Sequence, residues 1–263
     1  MRCACVALLL ALVPAALATT YTFNQTASGT YNWSAASGSI SSVPVSASTN
    51  TLTFGNGSLA ASVAVVAYND ISNPPFLLNG LNVTYAGPTS GTAPTLTIQG
   101  NQLAFTNNGA TAPTIVFNTT GTVKPSVTIT NNIQLQNDVA VTATTDCFIT
   151  GLLSGPGGLT KSGAGTIRFD GNSTSYAGAI GVSAGTLQIG NATSGSASLG
   201  TGTITLSGSG SFTIRKTSSE TVSNTITGTT TGTVSFQPIG NGANIVYTLN
   251  KVTGFTFLVQ SMS

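Results

Sequence analysis

An all-β chain wound as a solenoid is the fold this sequence predicts, and three observations carry that prediction. Apolar and polar residues alternate at period two in nearly every window after Thr19. Turn dipeptides separate these runs at intervals of about 6 to 12 residues, the rhythm of an all-β chain. Charged residues make up only 5% of the chain, against about 25% in an ordinary soluble domain. The outward strand positions are therefore filled by Thr, Ser and Asn.

The amino terminus comes first. Arg2, the apolar run Val6 to Val13 and the small-x-small triplet Ala16-Leu17-Ala18 read as a secretory signal over residues 1–18. The run is too short to span a bilayer, and no transmembrane helix is predicted elsewhere. The mature chain is expected to begin at Thr19, delivered by the export machinery that reads the signal. Cys3 and Cys5 leave with it, so Cys147 stays as the single thiol and no internal disulfide is expected. Its apolar neighbours Phe148 and Ile149 predict a small buried side chain, with an intermolecular disulfide as the sharper alternative.

Strand runs then follow one another. Leu52/Phe54, Leu96/Ile98, Val127/Ile129, Ile133/Leu135, Ile167/Phe169, Leu187/Ile189, Ile204/Leu206, Phe212/Ile214, Val234/Phe236 and Phe255/Phe257 each alternate with polar residues. Each run predicts a short strand with one apolar face. Asn56-Gly57, Asn79-Gly80, Asn108-Gly109, Asp170-Gly171 and Asn241-Gly242 punctuate them as dipeptides that tolerate positive φ. Sandwich, barrel and solenoid all suit this rhythm. The short strands and the hydroxyl-rich outer positions favour a solenoid, in which outward residues stack into ladders. At about 22 residues per coil, on the order of ten coils are expected, giving a rod on the order of 50 Å long. An outer-membrane barrel ranks last, because its strands need about 9 to 11 alternating residues. Residues 19–150 are expected to form an amino-terminal solenoid segment with a capping coil, and residues 151–263 the repeat-bearing segment.

The most distinctive stretch is GLLSGPGGLTKSGAGTIRFDGNSTSYAGAIGVSAGTLQIG, residues 151–190. Its first half places Ser154, Gly155, Gly157, Gly158, Leu159, Lys161, Gly163, Gly165, Thr166, Ile167, Phe169 and Gly171 at fixed intervals. Its second half places Tyr176, Gly178, Val182, Gly185, Thr186, Leu187 and Gly190. This pattern resembles the autotransporter-associated β-strand repeat, also called the passenger-associated-transport repeat. One clear copy is present, with Gly181 where the family pattern has a threonine. The resemblance implies a right-handed β-helix segment of an exported bacterial protein, secreted or at the cell surface, and it does not imply catalysis. Within the motif, Leu159, Ile167, Phe169, Leu187 and Ile189 are expected to point inward. Tyr176 is expected to cover a corner with its hydroxyl in water. Lys161 is expected at a coil edge, blunting lateral strand pairing, with a ligand contact as the alternative.

Candidate chemistry is sparse. The absence of histidine excludes Ser-His-Asp triads and His-ligated metals. A net charge of +2 argues against nucleic-acid binding, which needs clustered Lys and Arg. Asp138 and Asp146 are the best candidates for a carboxylate pair of the kind that cleaves glycosidic bonds; Asp170 joins them as a third carboxylate to test. No calcium-loop motif is present, and no cofactor or metal is predicted. Lys161-Ser162 makes a poor dyad, since adjacent strand residues face opposite ways. Tyr21, Tyr31 and Trp33 cluster near the mature start, where end packing competes with a glycan contact. The expected role is a non-enzymatic structural or adhesive solenoid at the cell surface or in the extracellular matrix. Self-association into fibres or contact with surface glycans are its partners, and a polysaccharide-binding or polysaccharide-cleaving β-helix is the alternative.

Overall fold

Two ten-stranded parallel sheets run the length of the molecule, and a shorter four-stranded sheet joins them along part of it. The computed structural model describes residues 18–35, 40–72, 74–191, 193, 196–228, 233–238, 247–253 and 257–259. The signal-like residues 1–17, the Asn241-Gly242 turn, Phe255 and the carboxyl-terminal residues 260–263 lie outside them.

The first sheet stacks Thr20–Phe23, Thr51–Phe54, Gly80–Val83, Thr114–Phe117, Val139–Ala143, Leu159–Ser162, Ile180–Val182, Ile204–Leu206, Glu220–Gly228 and Tyr247–Thr253. The second stacks Gly29–Asn32, Ala64–Asn69, Thr95–Gly100, Ser126–Ile129, Cys147–Ile149, Thr166–Phe169, Thr186–Ile189, Ser211–Lys216, Val234–Pro238 and Phe257–Val259. The chain alternates between the two sheets, so each strand pairs with the strand one coil away. That is a parallel β-helix of ten rungs, as the sequence predicts, and the right-handed sense is the one that twisted strands demand of a parallel crossover. The third sheet stacks Phe76–Leu78, Leu103–Phe105, Ile133–Leu135 and Leu153–Ser154, and so faces only the middle coils.

Coil length departs from the expected 22 residues. Asn101 and Asn131 each reach a carbonyl 30 residues earlier, in the preceding coil. Later side-chain contacts, such as Asn132 to Leu152 and Asp146 to Thr166, span 20 residues. Much of the extra length lies in long corners between the first and second sheets, at 55–63, 84–94 and 118–125. After residue 143 those corners shrink to 144–146, 163–165 and 183–185. The long corners stack on one another through parallel bridges joining Ser58, Ala86 and Thr120.

Period-two alternation places one apolar ladder after another inside. Leu96, Val127, Cys147, Ile167 and Leu187 sit in register on five successive rungs and are fully buried. Burying a side chain of this size contributes about 1.5–3 kcal/mol, and such ladders recur along both sheets. The outward positions carry hydroxyls that bond along the axis, as between Thr142 and Ser162 (3.3 Å) and between Thr205 and Thr227 (3.2 Å). At the amino end Trp33 is fully buried beside Phe23, Phe54 and Phe76, with ring centroids 5.3, 6.2 and 5.4 Å away. The segment around Ile40 and Ser41 folds back antiparallel against the outer edge of Thr20–Phe23.

Candidate functional site

The 151–190 segment occupies the middle of the stack, and its polar residues are spent on holding coils together. Leu159, Ile167, Phe169 and Leu187 all point inward and are buried. Ser154 ends the last strand of the small sheet, and its hydroxyl donates to the Ile133 carbonyl one coil back. Gly155, Gly157 and Gly158 turn the chain into Leu159–Ser162. Gly163 and Gly165 make the tight corner into Thr166–Phe169, and Gly185 the next corner, into Thr186–Ile189. Gly163 has φ +80°, and a Cβ there would strike the Ala143 carbonyl below.

Lys161 corrects the sequence reading. It does not sit at an exposed edge. It lies in the inward ladder between Val141 and Val182 and is fully buried. Its Nζ donates to the Gly163 carbonyl at 3.0 Å and to the Ala184 carbonyl, in the next coil, at 2.8 Å. Gly185, at φ +65°, leaves room for it: a Cβ there would come within 2.7 Å of Nζ. Burial lowers the Lys161 pKa to about 8, and the Asp146 charge pulls weakly the other way. A neutral amine keeps two N–H donors, enough for both carbonyls. The side chain is thus a clip between consecutive coils, with no face open to a ligand.

Tyr176 is a second correction. Its ring is fully buried, and its hydroxyl, expected in water, donates to the Gly157 carbonyl at 2.9 Å. Burial first and the Asp138 charge second push the phenol pKa up. Tyr85 repeats the device nearer the amino end, donating to the Phe23 carbonyl at 3.0 Å. Gly178 follows two residues after Tyr176, stacked on the Gly157 carbonyl.

The other candidates also sort by burial. Cys147 is a buried free thiol, which removes the intermolecular disulfide alternative. Burial, with Asp146 second, pushes its pKa well up. Trp33 is fully buried and Tyr21 nearly so, so neither offers a ring face to a sugar. Tyr31 is half-buried and donates to the Ala27 carbonyl at 3.0 Å.

Asp138 and Asp146 do not form a pair. Asp138 precedes a first-sheet strand and accepts the Gly158 amide at 2.7 Å. Asp146 precedes a second-sheet strand and accepts the Thr166 amide at 2.7 Å. Each carboxylate receives the backbone of the next coil 20 residues on. Asp170 is bound in a fork by Arg168 at 3.0–3.1 Å. The Arg168 guanidinium in turn lies 4.0 Å from the centre of the Phe148 ring. Asp70 receives the Ser34 amide at 2.8 Å and the Ser34 hydroxyl. Burial raises the Asp70 pKa, but these hydrogen bonds outweigh it and hold the carboxyl below its ordinary value. Among the described residues there is no group of three or more His, Cys, Asp or Glu side chains able to hold a metal ion. Nor is any helix long and apolar enough to cross a membrane.

Comparison with known families agrees with this geometry. The passenger-associated-transport-repeat model matches residues 159–189, from the strand that carries Lys161 to the end of the strand that carries Leu187. The chain carries a passenger-associated-transport repeat. The matched span is one and a half coils, beginning on the Leu159–Ser162 rung and ending on the next. No curated protein sequence matches the chain, and no solved structure does.

Proposed function

We propose that this chain is an exported, passenger-type β-solenoid, a non-enzymatic rod that serves a bacterium at its surface or in the surrounding matrix. The observation that carries this reading is the passenger-associated repeat folded into an unbroken parallel solenoid. Lys161, Tyr176, Asp138 and Asp146, the residues that would draw a chemist's eye, all bond the backbone of other coils. That use of polar groups supports a mechanical role over a catalytic one.

The amino-terminal cap bears on assembly. A solenoid end exposes unpaired N–H and C=O groups and invites stacking. The fold-back at Ile40–Ser41 covers part of that edge, which favours a rod that stops over a fibre that grows from both ends.

The test is expression of the full chain with its own amino terminus in a bacterial host. The reading predicts an exported product that begins at Thr19. A product kept in the cytoplasm with residues 1–18 intact would overturn the export half of the proposal.

A further inference from the structure

The change of coil length leaves a step on the surface. The corner at 118–125 is the last of the three stacked long corners, and the tight corners 144–146 and 163–165 lie directly after it along the axis. At this step a groove of about 380 Å³ opens, within the size range of small-ligand sites. Lys124 and Pro125 of the long corner, Thr144, Asp146 and Ala164 of the tight corners, and Phe148 line it.

In a chain with 5% charged residues, two of opposite sign meet here. Lys124 is exposed and makes no ion pair or hydrogen bond among the described residues. Asp146 uses Oδ1 on the Thr166 amide, which leaves Oδ2 open as an acceptor. Phe148 is half-buried beneath the Arg168 guanidinium, whose charge is already matched by Asp170. The chemistry narrows the ligand. An anion would meet the Asp146 carboxylate, and a cation would meet Lys124. A neutral polyhydroxylated ligand satisfies both, because a sugar hydroxyl donates to the carboxylate and accepts from the ammonium. The groove's own hydroxyls and the edge of an aromatic ring serve the same ligand.

We propose that the coil-length step bounded by Lys124, Asp146 and Phe148 is a binding site for a neutral saccharide unit. The site is separate from the residues first expected to contact glycans, Tyr21, Tyr31 and Trp33. It does not depend on the rod being exported.

The test is binding of neutral hexose and N-acetylhexosamine oligosaccharides to the purified full chain by saturation-transfer NMR. Sialylated oligosaccharides and free glycine serve as the anionic and zwitterionic comparisons. K124A and D146N each remove one polar partner. An asparagine at 146 keeps an acceptor for the Thr166 amide, so the coil is retained, and circular dichroism melting checks it. A164W places a large side chain in the groove from an exposed lining position. The proposal predicts saturation transfer to a neutral oligosaccharide, lost or weakened at least tenfold in all three variants, with T205A unchanged. Absence of transfer, transfer unaffected by the variants, or a preference for the anionic or zwitterionic probe would each overturn it.

Discussion

Replacing Lys161 with methionine tests the reading of the motif lysine as an internal clip. The perturbation keeps the aliphatic stem between Val141 and Val182 but removes the amine. Unpairing the Gly163 and Ala184 carbonyls costs up to about 1–3 kcal/mol each. Against this, burial lowers the Lys161 pKa from 10.5 to about 8. The unfolded chain therefore holds more protons than the folded chain between those two values, and stability rises with pH across that window. The full effect is present above pH 10.5 and is lost as pH falls through about 8. With one pKa unit equal to about 1.4 kcal/mol, the gain is roughly 1 kcal/mol from pH 7 to 9 and roughly 2.5 kcal/mol by pH 10. Cys147, Tyr85 and Tyr176 act oppositely above about pH 9, because their raised pKa values make the unfolded chain the stronger acid. The informative quantity is thus the difference between wild type and Lys161→Met at each pH. Urea unfolding followed by circular dichroism at pH 7, 8 and 9 measures it. The account predicts that wild type gains roughly 1 kcal/mol relative to the variant between pH 7 and 9. An unchanged difference, or a wild type that loses ground as pH rises, would refute the buried clip.

Four further substitutions probe other contacts. Tyr176→Phe leaves the Gly157 carbonyl without its donor and should cost about 1–3 kcal/mol, read as a lowered urea midpoint with an unchanged slope. Gly185→Ala puts an L side chain at φ +65° against Lys161 and should cost at least about 1–2 kcal/mol from the backbone alone. By contrast, Gly181→Ala, where a Cβ would meet nothing nearer than 3.6 Å, should be neutral or slightly stabilising in the same urea assay. Trp33→Ala empties the aromatic cluster at the amino end and should cost about 3–5 kcal/mol. Because solenoid coils depend mainly on their neighbours, hydrogen exchange should lose protection first over residues 20–54 and last in the coils beyond residue 95.

The strands were legible because period two is a direct imprint of a pleated, one-sided core. Every run from Leu52/Phe54 to Val234/Phe236 lies in a strand with those residues inside. The repeat was legible because its glycines mark places where one coil touches the backbone of the next, as Gly163 does on Ala143. Coil length in the amino-terminal half was not legible. The long corners at 84–94 and 118–125 bond coil to coil through backbone groups and carry no side-chain period. Lys161 misled for a related reason. A lysine in a strand ordinarily sits at an edge, and only the two carbonyls above and below it, unreadable in one dimension, make its burial tolerable. Tyr176 and Trp33 were placed at the right corner and the right end, but their burial depends on neighbours from coils 19 to 43 residues away. The groove beside Asp146 carries no local motif, since it arises from the mismatch between two coil lengths.

The central claim is that rungs, and not sequence separation, set distance along this molecule. Spin labels on the outward ladder of the first sheet test it most directly. Thr51 stands four rungs from Thr160 and six from Thr205. Electron–electron double resonance on Thr51→Cys/Thr160→Cys and Thr51→Cys/Thr205→Cys should give backbone separations of roughly 19 and 29 Å, at roughly 4.8 Å per rung. Distances that do not lengthen with rung number, or that are equal for the two pairs, would contradict the solenoid.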